Sequence, residues 1–277
     1  MNSLSVFLRY ARYRYIFFRL LLRVKMGKRK RDEYLKNTRI SPIDFLPERP
    51  YEIHGVKAIP RKGSRDFYMF FVSREQDVKP HLVMKENETF ADVGANIGSY
   101  SLKIANDYKK KGVEVVAIEA HPENFKALDR NIRCNDLTNV NIINKAVSDH
   151  KGIVNLYERT HDGSRAGSDV YSLFDTFIHP SNTFLPNGKT LQIECDTLDN
   201  ILAGYKVDVM KIDIEGAEVL ALKGATNTLK NLRKIIVEIH GDNFDKVNEI
   251  LERSNFNLES SKEAMQHIIG SKRTSVK

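Results

Sequence analysis

The chain has 277 residues, 41% hydrophobic and 29% charged, a balance that suits a folded body and excludes general disorder. Its net charge of +8 is concentrated at one end, because residues 1–39 hold twelve Lys and Arg against only Asp32 and Glu33. The remainder is therefore slightly acidic, and a nucleic-acid-binding face over the whole body is not expected.

Residues 3–25 resemble an anchor until their arginines are counted. Arg9, Arg12, Arg14, Arg19 and Arg23 interrupt the apolar run, and each would cost about 2.5–3.5 kcal/mol at a bilayer centre. The segment does not span. On a helix Arg9, Arg12, Arg19 and Arg23 share one face, Leu4, Phe7, Phe18, Leu21 and Leu22 fall largely opposite, and the run Lys28–Arg31 follows. Residues 1–39 are thus read as a basic amphipathic arm that lies on an anionic membrane surface. Packing on its own domain, or binding RNA or another acidic partner, are the alternatives. Residues 40–86, with Pro42, Pro47, Pro50 and Pro60, read as a connector leading into an aromatic strand at 66–73.

From residue 87 the pattern alternates. Apolar strands are predicted at 88–93, 113–118, 140–144, 207–212 and 235–239, with helices at 97–108, 122–134, 197–203, 216–231 and 243–254. Repeated βαβ units imply an α/β fold, a doubly wound and mostly parallel sheet with its ligand crevice at the strand C-terminal ends. Two late strands, 255–260 and 266–271, and a hairpin of 152–157 with 191–195 complete the reading.

The chemistry-bearing residues fall on those strand ends. The run FADVGANIG (90–98) is a strand, a glycine turn and a helix start, with Asp92 before Gly94 and with Asn96 and Gly98 after it. A dinucleotide site uses GxGxxG and would not favour an acid beside a pyrophosphate. A ligand bearing an ammonium and a sulfonium would favour it. Glu119, at the next strand end, is placed to accept ribose hydroxyls, and Ser148 and Asp149 follow the third strand, where a polar group can reach an adenine amino group. The fourth strand runs into KIDIEGAE (211–218) and the fifth ends in Glu238 and His240. Asp213, Glu215 and His240 therefore converge as catalytic candidates, while Glu218 is read as an acid at a helix start.

Taken together, FADVGANIG, IEAHPENF, NKAVSD, TLDNIL, KIDIEGAEVLALKGA and IIVEIH resemble the FkbM family of S-adenosylmethionine-dependent methyltransferases over about residues 80–270. The resemblance implies a Rossmann-like class I methyltransferase domain at 87–277, with seven strands, the last antiparallel. It implies S-adenosyl-L-methionine as cofactor, held at Asp92, Gly94, Asn96 and Gly98, with Glu119 on the ribose and Asp149 at the base. It further implies methyl transfer to a hydroxyl oxygen on a small-molecule or glycan acceptor, such as a sugar, a glycolipid or a polyketide.

For that reaction Asp213 is expected to orient groups near the methyl, with Glu215 or His240 as the base. No metal ligand set is assigned, since no Cys/His cluster is present and the strand-tip oxygens lack a diagnostic spacing. The loop 158–190 is expected to shape the acceptor pocket through Ser168, Ser172 and His179. Cys134 and Cys195 read as buried spectators of a reducing compartment, hence a cytoplasmic protein, peripheral at the inner membrane face. The rival readings are a nicotinamide-dependent Rossmann oxidoreductase and a non-catalytic, membrane-tethered binding module.

Overall fold

A computed structural model describes residues 47–53, 55–62, 64, 66, 70, 78–161, 170–174, 184–260 and 267–273. The arm, Ser168 and His179 lie outside the described residues. Among the described residues no helix is long and apolar enough to cross a membrane.

The main sheet has seven strands: β3 (Thr89–Val93), β4 (Glu114–Ile118), β5 (Val140–Ile143), β10 (Val209–Ile212), β11 (Lys234–Glu238), β12 (Phe256–Ser260) and β13 (His267–Lys272). Their order across the sheet is β12-β13-β11-β10-β3-β4-β5, parallel except where β13 runs against β11 and β12. Strand order reverses between β3 and β10, and there the parallel crossovers leave on opposite sides and open a crevice.

Both faces of the sheet are covered, which explains why the strands read as continuous apolar runs. With a side-chain period of two, Phe90, Val115, Ala117, Val209 and Ile236 face one core with Leu102, Ala105 and Leu128. These last come from α1 (Ser99–Tyr108) and α2 (Pro122–Cys134). The alternate residues Ala91, Val93, Val116, Met210, Ile212, Ile235 and Val237 face the other core. That core is closed by α3 (Leu198–Ile201), α4 (Glu218–Lys223), α5 (Thr226–Asn231) and α6 (Phe244–Arg253).

The single helix expected over 216–231 is two. The Asp199 carboxylate accepts from Asn227 N (2.8 Å) and Thr228 N (2.7 Å), so the amides of a new N-terminus are capped from a distant residue. The expected hairpin grows into a second sheet of order β6-β9-β7-β8, made of β6 (Ala146–Val147), β7 (Gly152–His161), β8 (Val170–Ser172) and β9 (Phe184–Asp196). Much of the supposed loop is therefore sheet. Within that expected loop Pro186 pairs with Arg159, just past the register break between Tyr157 and Arg159.

The connector contains a short hairpin, β1 (Tyr51–Ile53) and β2 (Val56–Ala58), which docks on α2: Asn135 Oδ1 accepts from Lys57 N (2.7 Å) and Asn131 Oδ1 from Ile59 N (2.8 Å). Of the strand expected at 66–73, only Asp66 and Phe70 are described, and both have helical backbone. The rest of that expected strand lies outside the described residues.

Candidate functional site

At the crevice lies a cavity of about 290 Å³, close to the lower end of small-molecule sites. Three strand tips form its floor and walls.

The first is the glycine turn after β3. Gly94 has φ +83° and its N–H donates to the carbonyl of Ile118 (2.9 Å). A Cβ there would run into the main-chain carbonyl of Asp213, so only glycine lets the β3 and β10 turns meet backbone to backbone. Asp92, 2% exposed, accepts from Ser101 N (3.0 Å) and Ser101 Oγ (2.5 Å) and so ties the turn to α1. Asn96, with φ 50°, donates its N–H to Glu119 Oε2 (2.8 Å).

The second tip follows β4. Glu119 Oε1 accepts from His121 N (2.9 Å) and Asn124 Nδ2 (3.3 Å), so both carboxylate oxygens face fixed donors. Burial nevertheless pushes the Glu119 carboxyl above its ordinary value, against those bonds. His121 begins α2, and its ring stacks on Tyr171 of β8 with centroids 3.8 Å apart. Burial lowers its pKa to about 4, so the imidazole is neutral.

The third tip, after β10, carries the charge. Lys211 is 2% exposed in a strand buried throughout, with Nζ 2.9 Å from Asp213 Oδ2 and 4.7 Å from the centre of the Tyr100 ring. Glu215 has φ 52°, an uncommon conformation for a residue with a side chain, and its carbonyl accepts from Ser172 Oγ of β8 (2.8 Å). Glu215 Oε2 lies 3.3 Å from His240 Nε2, while His240 Nδ1 is 2.9 Å from Glu218 Oε1. Glu218 is fully buried and also accepts from Gly216 N (2.8 Å) and Asn243 Nδ2 (2.7 Å). Burial, with Asp213, Glu238 and Glu218 nearby, pushes the Glu215 carboxyl up to about 8. Burial would depress His240, but the surrounding carboxylates outweigh it and hold its pKa well above the imidazole norm.

Of the residues singled out in the sequence, Asp92, Gly94, Asn96, Glu119, Asp213 and Glu215 line this one cavity. Gly98, Ser148, Asp149 and His240 do not. Gly98 packs against Leu102 and Leu128, and Ser148 is fully buried. Asp149 turns to His150 Nδ1 at 2.8 Å, and His240, 3% exposed, stands behind Glu215. Ser172, expected to touch an acceptor, instead fixes the Glu215 main chain and is fully buried.

Four groups were not foreseen. Glu218 orients His240 rather than merely opening a helix, and His267 sits under the floor with Nε2 3.6 Å from Oε2 of Glu238, the acid already read at the end of the fifth strand. Tyr171 comes from the inserted sheet, where no local pattern marks it. Lys211 had a readable signal, since a lysine inside an apolar strand needs a buried partner.

The sequence profile of the methyltransferase FkbM domain matches residues 92–258, more than half of the chain. A methyltransferase SdnD of Sordaria araneosa is 25% identical over 56% of this chain and 67% of its own. A hexuronic acid methyltransferase, AglP, of Haloferax volcanii is 26% identical over 68% of this chain and 72% of its own. A crystal structure of a methyltransferase FkbM from Methylobacillus flagellatus aligns at 18% identity and a TM-score of 0.48, over 74% of this chain and about half (48%) of that one. With the matched segment running from Asp92 at the glycine turn to β12, the chain belongs to the FkbM methyltransferase family.

Proposed function

We propose that the protein transfers a methyl group from S-adenosylmethionine to a hydroxyl oxygen of a sugar, glycolipid or other small acceptor. The observation that carries the reading is one cavity with two unlike ends. At one end Glu119 stands beside the apolar side chains of Ile118, Val147 and Leu156, a setting for a ribose and a purine. At the other end Asp213 and Glu215 line the wall beside the Gly94 turn, and acids there suit a cationic ligand and an acceptor that must lose a proton. The hexuronic acid named for the Haloferax relative puts sugars first among the acceptors to be tried.

When bound, S-adenosylmethionine would supply an electrophilic methyl group to the acceptor oxygen and leave as the thioether, its sulfur keeping the electron pair of the broken C–S bond. The chain's own part is positioning and proton removal. The Gly94 turn lets a ligand approach the main chain, and Glu119, its geometry set by Asn96 and His121, meets the ribose hydroxyls. The acceptor's proton goes to Asp213 or Glu215, the carboxylates on the cavity wall; His240 serves from behind Glu215. Calorimetric titration with S-adenosylmethionine and with NAD, followed by a labelled-methyl screen over lipids, glycans and glycolipids, tests the reading. Binding of NAD but not of the sulfonium cofactor would refute it.

A further inference from the structure

Asp213, Glu238 and His240 each bring one donor atom to within 4.8 Å of the other two, a spacing at which two carboxylates and an imidazole can close on a divalent cation. His240 is held as a metal-binding imidazole would be, with Nδ1 against the Glu218 carboxylate and Nε2 turned toward Glu215 and Glu238 at 3.3 and 3.5 Å. Yet besides the His240 imidazole, whose pKa the carboxylates raise, the cage already contains a fixed cation. Lys211 Nζ lies 2.9 Å from Asp213 Oδ2 and 3.9 Å from Glu238 Oε2. A metal ion bonded to those oxygens would stand within about 5 Å of the ammonium, in a buried place where like charges repel strongly. Burying an ammonium is costly unless it is paired, and here two carboxylates and the face of Tyr100 surround it.

We infer that Lys211 is the resident cation of this site, seated where Asp213, Glu238 and His240 would otherwise close on a divalent ion, and that it is the positioning residue that fixes Asp213 in the cavity wall. Its counterpart in a metal-dependent enzyme would be the ion itself, as the group that neutralises the strand-tip acids. The role of Asp213 toward an acceptor rests on the methyl-transfer reading, but the identity of the cation does not.

The test is a titration of the full-length protein with Mn²⁺, read by calorimetry and by the paramagnetic resonance of the free ion. Wild type is expected to show no Mn²⁺ site at this cage. Lys211→Met keeps the stem and removes the charge, and is expected to bind Mn²⁺ at least about tenfold tighter than wild type, a lower bound for removing a like charge at that distance. Adding Glu238→Gln to Lys211→Met should abolish the new site, whereas Lys211→Arg should behave as wild type, a distinction that a purely packing role would not produce. Tight Mn²⁺ binding by wild type, or none by folded Lys211→Met, overturns the assignment. Where Lys211→Met does not fold, the wild-type titration still decides: a tight site beside the ammonium refutes the inference, and its absence supports it. Titration with S-adenosylmethionine in parallel keeps the two readings apart. Failure of every protein to bind it would remove the methyl-transfer reading and leave the Mn²⁺ outcomes standing.

Discussion

Glu119→Gln is the most informative single change, because the structure fixes what an amide would meet. Each carboxylate oxygen faces a main-chain donor, Asn96 N on Oε2 at 2.8 Å and His121 N on Oε1 at 2.9 Å. In either orientation the new NH₂ group points at one of those N–H groups, so at least one buried donor loses its acceptor. Asn124 cannot offer its own oxygen cheaply, since Oδ1 already accepts from Arg61 Nη2 at 2.8 Å. An unsatisfied buried donor costs about 1–3 kcal/mol, which is the expected loss of stability in urea unfolding. Binding should suffer separately. Hydrogen bonds to a charged group are worth roughly 1.5–3 kcal/mol, so the dissociation constant for S-adenosylmethionine should rise roughly ten- to hundredfold at saturating folded protein. Calorimetry on protein shown to be folded by circular dichroism separates the two effects. A variant that is destabilised as stated but binds the cofactor within twofold of wild type would mean that Glu119 only braces the turn, and the ribose assignment would fall.

The neutral His121 makes stability depend on pH: the unfolded imidazole takes a proton below about 6.5, while the folded one resists until about 4. Stability should therefore fall as pH drops through that window, by about 3 kcal/mol at most from this group, and His121→Phe, which keeps an aromatic face for Tyr171, should flatten the decline in denaturation midpoints measured from pH 7 to 5. A variant with an unchanged acid limb would show that other groups set it. Ser172→Ala removes one bond from the left-handed Glu215 and should cost about 0.5–1.5 kcal/mol of stability while lowering turnover of any acceptor found in the screen; intact turnover would separate β8 from the chemistry. Deleting residues 1–39 should release the protein from anionic vesicles in co-sedimentation, and salt at 1 M, where screening acts within about 3 Å, should weaken wild-type binding; if deletion instead lowers the melting temperature and wild type never sediments, the arm is a packing element.

What could be read from the sequence, and what could not, divides along contact distance. The strands were legible because those at the centre of the sheet are short apolar runs buried on both faces and all are bounded by turns, and the glycine turn was legible because Gly94 must clear the backbone of a neighbouring strand. Asp213 and Glu215 were legible because acids at an apolar strand end need a reason. The inner ring was not. Glu218 sits at a helix start, where an acid is ordinary, and only the approach of β11 reveals that it grips His240. The same distance in sequence hides His267, which reaches Glu238 through the antiparallel pairing of β13 with β11. His240 was read as facing the cavity because it follows a strand end, but the end of β11 lies behind the Glu215 turn, and the imidazole is enclosed.

The second sheet changes how the site should be understood. A connection between β6 and α3 in a doubly wound fold has no obligation to touch the crevice, yet β8 touches it at both ends. Tyr171 lies on the ring of His121, beside the Glu119 carboxylate, and the next residue, Ser172, holds the carbonyl of Glu215, beside the acids at the other end. Adjacent residues in a strand point to opposite faces, so one short strand reaches two walls without bending. Glu215 needs such a hold. Its left-handed backbone is unfavourable for a side-chain-bearing residue, and it persists only where neighbours over-determine it. Here Ser172 fixes the carbonyl and Gly216, itself at φ 104°, takes the next turn, so the carboxylate is delivered toward His240 instead of into solvent. On the proposed methyl-transfer reading the insertion is part of the catalytic frame, and changes to its length or register should be felt at Glu215 before they are felt in the core.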